Sequence, residues 1–240
     1  MHTALRSAVG ARRNRETDVE LQFDPRQSVA KLKRAYKKLA MVIRRAGPFQ
    51  LEPRKSQSPF HALLRAIIYQ QLAGRAAAAI HGRVIDLYPG RRGPTAAALV
   101  ETPDELLRGA GLSRNKLAAV KDLAAKTLDG TVPTLAKLKK MDDDEIVERL
   151  TQVRGGGVWS VEMLLMFRLG RPDVLPVGDF GVRKGFMHTY GGSELPKPKE
   201  LLEHGERWRP FRSVASWYMW RAVDLELAKA KKRGKMVLPD

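Results

Sequence analysis

The chain predicts an all-α fold. Apolar residues recur at spacings of three and four, glycines and prolines break these runs into helix-sized pieces, and no stretch alternates apolar with polar residues as a half-buried strand would. Pro25-Arg26 to Ala46 carries Val29, Leu32, Ala35, Leu39 and Val42 on one face, and Gly47-Pro48 stops it. Pro59 to Tyr69 is strongly apolar (Leu63, Leu64, Ala66, Ile67, Ile68), which predicts a buried helix. Ala73 to Leu87 follows, closed by Pro89-Gly90. Thr102-Pro103-Asp104-Glu105 reads as a capping box with Pro at the first helical position, ended by Gly109 and Gly111. Ser113 caps a helix to Leu128, which Gly130 terminates. Asp142 to Gln152 and Val158 to Leu169 flank a glycine turn, Asp179 starts another helix, and the final one runs from about Arg212 to Lys232. There is no tandem repeat and no low-complexity linker.

The 240 residues suffice for one large domain or two small lobes, and 43% apolar residues with four Trp fit a folded protein. The net charge is +18, from 44 basic and 26 acidic residues. Such an excess favours a polyanionic partner through counterion release, although a solvated basic surface also explains it. Half of it lies in residues 1–55, with 14 basic against 5 acidic residues, and Lys229-Ala230-Lys231-Lys232-Arg233-Gly234-Lys235 adds a second patch. Residues 1–25 read as a basic, disordered terminus; an organellar transit peptide is the alternative for Met1 to Arg15. The absence of cysteine excludes disulfides, thiolate zinc sites and iron–sulfur clusters. The longest apolar run is too short for a membrane span, which predicts a soluble protein. His61, His81, His188 and His204 lack metal-ligand spacing, and Asp142-Asp143-Asp144-Glu145 reads as a complement to a helix dipole. Trp208 and Trp217 read as core.

The chemistry concentrates in two segments. Val153-Arg154-Gly155-Gly156-Gly157-Val158-Trp159-Ser160 puts three glycines directly before a helix. They leave the backbone bare, and the free N–H groups of the helix start point at whatever sits in the turn. Such a turn grips a phosphate without reading sequence; an ordinary tight helix–helix connection is the competing reading. Twenty residues after Trp159, Leu175-Pro176-Val177-Gly178-Asp179-Phe180-Gly181-Val182-Arg183 sets a lone carboxylate at a helix start, where it serves as an N-cap at the least.

The segment Leu150 to Ser160 resembles the helix-hairpin-helix of the DNA glycosylase superfamily, and within it the DNA-3-methyladenine glycosylase II branch is most similar. Pro59 to Leu72 resembles the helix and turn with which that family probes the duplex. Ala110-Gly111-Leu112-Ser113-Arg114-Asn115-Lys116 resembles its second DNA-facing turn, and Trp208 to Trp220 its C-terminal helix. The likeness covers roughly residues 50 to 225 in order. It implies a two-lobed fold with the active-site cleft between lobes, one from about 26–72 plus 175–240 and the other from about 73–174, including the hairpin at 150–162.

The resemblance also implies roles. Asp179 matches the catalytic aspartate, which stabilises a sugar with oxocarbenium character and orients or deprotonates the attacking water. The nucleotide must leave the stack to be reached, and Trp159, Trp220, Tyr69 and Phe180 are the candidates for an aromatic base pocket, with hydrophobic core as the competing reading. Arg154, Gly155, Gly156, Gly157, Gln70, Gln71, Leu72, Ser113, Arg114, Lys116 and Arg183 are candidates for DNA contact, with Gln71 and Leu72 filling the gap left by the flipped base; helix packing is the competing reading for these two. Gly156 departs from the family, where this hairpin residue is apolar; the departure is expected to loosen the turn and weaken a monovalent cation site (Na+ or K+) at the carbonyls of Val153 and Gly155. No cofactor is otherwise required. Relatives that also cut the strand place a Lys where this chain has Trp159, so the expectation is a monofunctional enzyme that excises alkylated purines and leaves an abasic site. A glycosylase for deaminated or mismatched bases and a non-catalytic DNA-binding module are the alternatives. The implied partner is double-stranded DNA with a damaged base, met by a monomer in the bacterial cytoplasm (nucleoid) or the eukaryotic nucleus.

Overall fold

The computed structural model describes residues 21–51, 58–72, 74–90 and 93–232, and every regular element among them is helical. Most of the basic start and the Arg233 to Lys235 part of the tail lie outside the described residues. The folded chain begins before residue 26: Gln22 N–H donates to the Gly170 carbonyl, and Phe23 packs on Phe49 with ring centroids 6.1 Å apart.

The helix expected over 25–46 is two helices, α1 (Pro25–Ala35) and α2 (Lys37–Ala46). Tyr36 breaks it with extended backbone (φ −128°, ψ 97°), and its hydroxyl donates to the Arg207 carbonyl. The break folds α1 back on α2 and buries Leu32, Leu39, Val42 and Ile43 together. Next come α3 (Pro59–Tyr69), α4 (Gly74–Asp86) and α5 (Ala96–Glu101). The short α5 has no expectation in the sequence, and it explains why Thr102 caps nothing. Its hydroxyl donates back to the Ala98 carbonyl at 2.7 Å, and Pro103 starts α6 (Asp104–Gly109) without a side-chain cap. Ser113 does cap α7 (Arg114–Leu128), accepting from the Lys116 N–H. Then follow α8 (Leu135–Leu138), α9 (Asp143–Leu150), α10 (Val158–Phe167), α11 (Phe180–Tyr190), α12 (Pro198–Gly205) and α13 (Arg212–Lys232).

Two groups of helices form. One gathers α1, α2 and α11 to α13, with α13 packed on α11 and α2. The other is built on α7, which packs on α5 and α3. Helix α3, expected with the first group, takes its main contacts from α7, α4 and α10. A continuous core runs through both groups, with Trp208 fully buried and Trp217 nearly so, as core residues should be.

Candidate active site

The loop from Gly170 to Gly178 delivers Asp179, and α13 fixes that loop. Ser213, buried at the start of α13, accepts from Val174 N–H (2.9 Å) and donates to the Arg171 carbonyl (2.7 Å). Arg212 pairs with Asp173 at 2.8 Å, and Ser216 Oγ donates to the Val174 carbonyl. Asp179 itself caps α11: Oδ1 accepts from Val182 N–H at 2.8 Å. The same Oδ1 accepts from Trp220 Nε1 at 2.8 Å, and Oδ2 accepts from Trp159 Nε1 at 2.8 Å. Three donors from three helices thus fix one half-buried carboxylate. Capping and placement of an acid are one arrangement here.

Two glycines let Trp220 come close. A Cβ on Gly181 would lie 2.7 Å from Trp220 Cδ1, and one on Gly185 would lie 1.9 Å from the Met219 carbonyl oxygen. Spaced four apart, both lie on one face of α11, and α13 settles into the notch they leave.

Asp179 stands in the wall of an open groove of about 610 Å³ at the junction of the ends of α3, α10 and α11. Tyr69, Gln70, Gln71, Trp159 and Phe180 share that wall, so the structure brings these candidates together from three separate segments. Beside it lies a smaller apolar cavity of about 180 Å³, which shares Tyr69, Trp159 and Ser160 and reaches Met163, Phe167 and Arg65. Arg65 holds its guanidinium 3.6 Å from the centroid of the Tyr69 ring. Phe180 is 58% exposed at the groove rim. Trp220 lines neither cavity: its ring stacks on Phe167 (centroids 5.7 Å, 25°) and its N–H serves Asp179. It is placed as a holder of the acid, not as a wall of the pocket.

The hairpin is tight, not loosened. Gly156 N–H closes on the Val153 carbonyl at 2.7 Å, and a Cβ at 156 would meet the Leu150 and Val153 carbonyls at 2.8 and 2.9 Å. An apolar side chain has no room in this closed turn, so the turn is not loosened by Gly156 as expected. Gly155 adopts φ +71°, where glycine is unstrained. Gly157 is the N-cap of α10 and brings no side-chain acceptor, which leaves the first N–H groups of that helix to the solvent side. Asp122 anchors the turn from α7, accepting from Arg154 N–H at 2.7 Å and pairing with Lys126 at 2.8 Å. The Arg154 side chain stays exposed, as do Ser113 and Arg114 at the start of α7.

Three candidates for DNA contact are engaged inside the protein. Lys116 Nζ donates to the carbonyls of Ile68 (2.5 Å) and Gln70 (2.8 Å), the C-terminal end of α3, and burial lowers its pKa. Arg183 Nε donates to the Pro196 carbonyl at 2.8 Å. Gln70 Nε2 donates to the Gly155 carbonyl (2.8 Å) and Ser160 Oγ (2.9 Å), tying α3 to the hairpin. Lys and Arg in a DNA-facing motif read as phosphate ligands, and nothing in the sequence shows that local carbonyls claim them first. Gln71 and Leu72 remain exposed at the tip, and Gln71 adopts φ +54°, a left-handed conformation that costs a non-glycine residue about 1 kcal/mol.

Sequence reading passed over Glu162. It is half-buried on α10, one turn beyond Trp159, and burial together with the charge of Asp179 pushes its carboxyl up to about 7. Its spacing of three from Trp159 was the available signal. No group of His, Asp and Glu with metal-binding geometry occurs among the described residues, and no helix there is long and apolar enough to cross a membrane.

Comparison with known proteins matches this chain to a family. The family model of the HhH-GPD superfamily of base excision DNA repair proteins matches residues 64–210, which hold the groove, the hairpin and Asp179. The DNA-3-methyladenine glycosylase 1 of Schizosaccharomyces pombe is 34% identical over 190 residues, 79% of this chain and 82% of that protein. The solved structure of the S. pombe 3-methyladenine DNA glycosylase in complex with abasic DNA superimposes with a TM-score of 0.76 at 30% identity, covering 88% of this chain and all of that one. The DNA-3-methyladenine glycosidase of Bacillus halodurans gives 0.74 at 33% identity over 87% and 93% of the two chains. The chain therefore belongs to the HhH-GPD superfamily of base excision DNA repair proteins.

Proposed function

We propose that the chain is a monofunctional DNA N-glycosylase that releases alkylated purines of the 3-methyladenine type from duplex DNA by hydrolysis, leaving an abasic site. The observation that carries this is Asp179, an acid held by three donors in the wall of a groove open to solvent. Relatives named as DNA-3-methyladenine glycosylases, matched over most of their length, support the lesion class.

In the proposed step the extruded nucleotide enters the groove, with Trp159 and Tyr69 against the base. The C1′–N bond breaks and the base leaves with the bonding electrons, which the positive charge of an alkylated purine assists. Asp179 faces the oxocarbenium-like sugar and stabilises its charge, water adds its oxygen to C1′, and the carboxylate directs or takes the proton. Trp159 Nε1 and Trp220 Nε1 keep both carboxylate oxygens aimed during this step. With Trp at position 159 no amine reaches the sugar from that point of α10, so no Schiff base forms there. The N–H groups at the start of α10, with exposed Arg154, Ser113 and Arg114, hold the strand by its phosphates. A Na+ or K+ ion at the hairpin would use the carbonyls of Val153 and Gly155. Each accepts one hydrogen bond and keeps a second lone pair, and the ion would add positive charge beside a phosphate. The hydrolytic step calls on no other cofactor, and one copy of the chain contains every residue named in it.

The test is release of free base from methylated duplex DNA, run beside uracil- and hypoxanthine-containing duplexes. Wild type should release the alkylated purine, and Asp179→Asn should lose at least about a hundredfold in rate with duplex binding kept. Borohydride should trap no protein–DNA adduct. Full activity in Asp179→Asn, or a stable adduct, overturns the assignment.

A further inference from the structure

Lys116 has a position but no role in the scheme above. It is the third residue of α7, and its ammonium bridges the Ile68 and Gln70 carbonyls at 2.5 and 2.8 Å. These are among the last carbonyls of α3, which the helix leaves without partners. The next residue, Gln71, is the described non-glycine residue with positive φ. Gln70 Nε2 fixes the other side of the same turn to Gly155 and Ser160. The tip at Gln71 and Leu72 is thus braced against two other elements, by Lys116 reaching from the start of α7 and by Gln70, beside the tip, reaching to Gly155 and Ser160 of the hairpin.

We propose that Lys116 is a positioning residue for nucleotide extrusion: it holds Gln71 in the left-handed conformation that aims its side chain into the gap left by the departing nucleotide. Three contact points on the duplex then act as one rigid body, set before DNA arrives. This rests on the glycosylase reading and goes beyond it, because it moves Lys116 from the phosphate to the turn. A lysine bound to phosphate would lose its effect as salt rises. A lysine bracing an internal turn acts at any salt, and acts only where the stack must be opened.

The experiment measures single-turnover base release by wild type, Lys116→Met, Lys116→Arg and Gln71→Gly. Two duplexes are used, one with the lesion normally paired and one with it opposite an abasic site, where extrusion is already eased. Lys116→Met should slow release from the paired lesion on the order of tenfold, the effect of losing a charged hydrogen bond, and from the eased lesion far less. Lys116→Arg, which keeps donors for both carbonyls, should recover most of the rate. In a Gln71→Gly background, where the tip has no side chain to aim, Lys116→Met should add little. Equal losses on both duplexes, no loss on either, or independent effects of the two substitutions would overturn the proposal. Should Lys116→Met not fold by thermal unfolding, Lys116→Gln takes its place in the same comparison. A wild type that releases no base from any duplex removes the glycosylase reading and this one with it; normal release without coupling removes only this one.

Discussion

Replacing Trp220 by Phe isolates one hydrogen bond to the acid. Trp159 also touches Asp179, but it lines both cavities, so its removal would mix base contact with carboxylate placement. Trp220 lines neither, and Phe keeps a ring to stack on Phe167. What goes is the 2.8 Å donor to Oδ1, which leaves that oxygen with Val182 N–H alone. A hydrogen bond to a charged group contributes about 1.5–3 kcal/mol, and if the reacting geometry depends on it the rate falls by roughly 10- to 100-fold. Single-turnover release from saturating methylated duplex is the assay, with affinity for abasic product DNA measured in parallel. The rate should fall and the affinity should hold. A rate within about twofold of wild type, in a protein shown to be folded, would refute the idea that the second indole aims the acid.

Two further outcomes follow from local geometry. Glu162 titrates at about 7 in the fold against an ordinary 4.5, so the folded state binds the extra proton between those values and its stability falls as pH rises through that window. The cost is absent below 4.5 and reaches about 3 kcal/mol above 7, so Glu162→Gln should stabilise by about that much at alkaline pH and by little in acid. Urea unfolding at both pH values checks this, and an equal effect at both would contradict it. Gly156→Ala forces a methyl to within 2.8 Å of the Leu150 carbonyl; it should cost about 1–3 kcal/mol and weaken duplex binding, read by denaturant unfolding and a binding titration.

The all-α class and the long amphipathic helices were legible because period and punctuation agree over many residues. The helix start at Asp179 was legible too, because an aspartate directly before a helical run is a strong N-cap. What escaped depends on contacts far apart in sequence. Tyr36 sits in an unbroken apolar period, and its break shows only when its hydroxyl meets Arg207, 171 residues away. Thr102 has the composition of an N-cap, but a six-residue helix before it claims its hydroxyl. Lys116 and Arg183 carry the charge of phosphate ligands, yet carbonyls at the ends of α3 and near Pro196 take them up. Glu162 gained meaning only once α10 and the loop to α11 met.

The near-contact of Gly185 with Met219 carries a constraint on how such a chain can vary. Any larger residue there would wedge two helices apart, and the indole that steadies the carboxylate travels with one of them. The placement of the Asp179 carboxylate is therefore sensitive to the thickness of a helix seam more than a full turn away from it. A hydrogen atom as a side chain sets how near that indole can come.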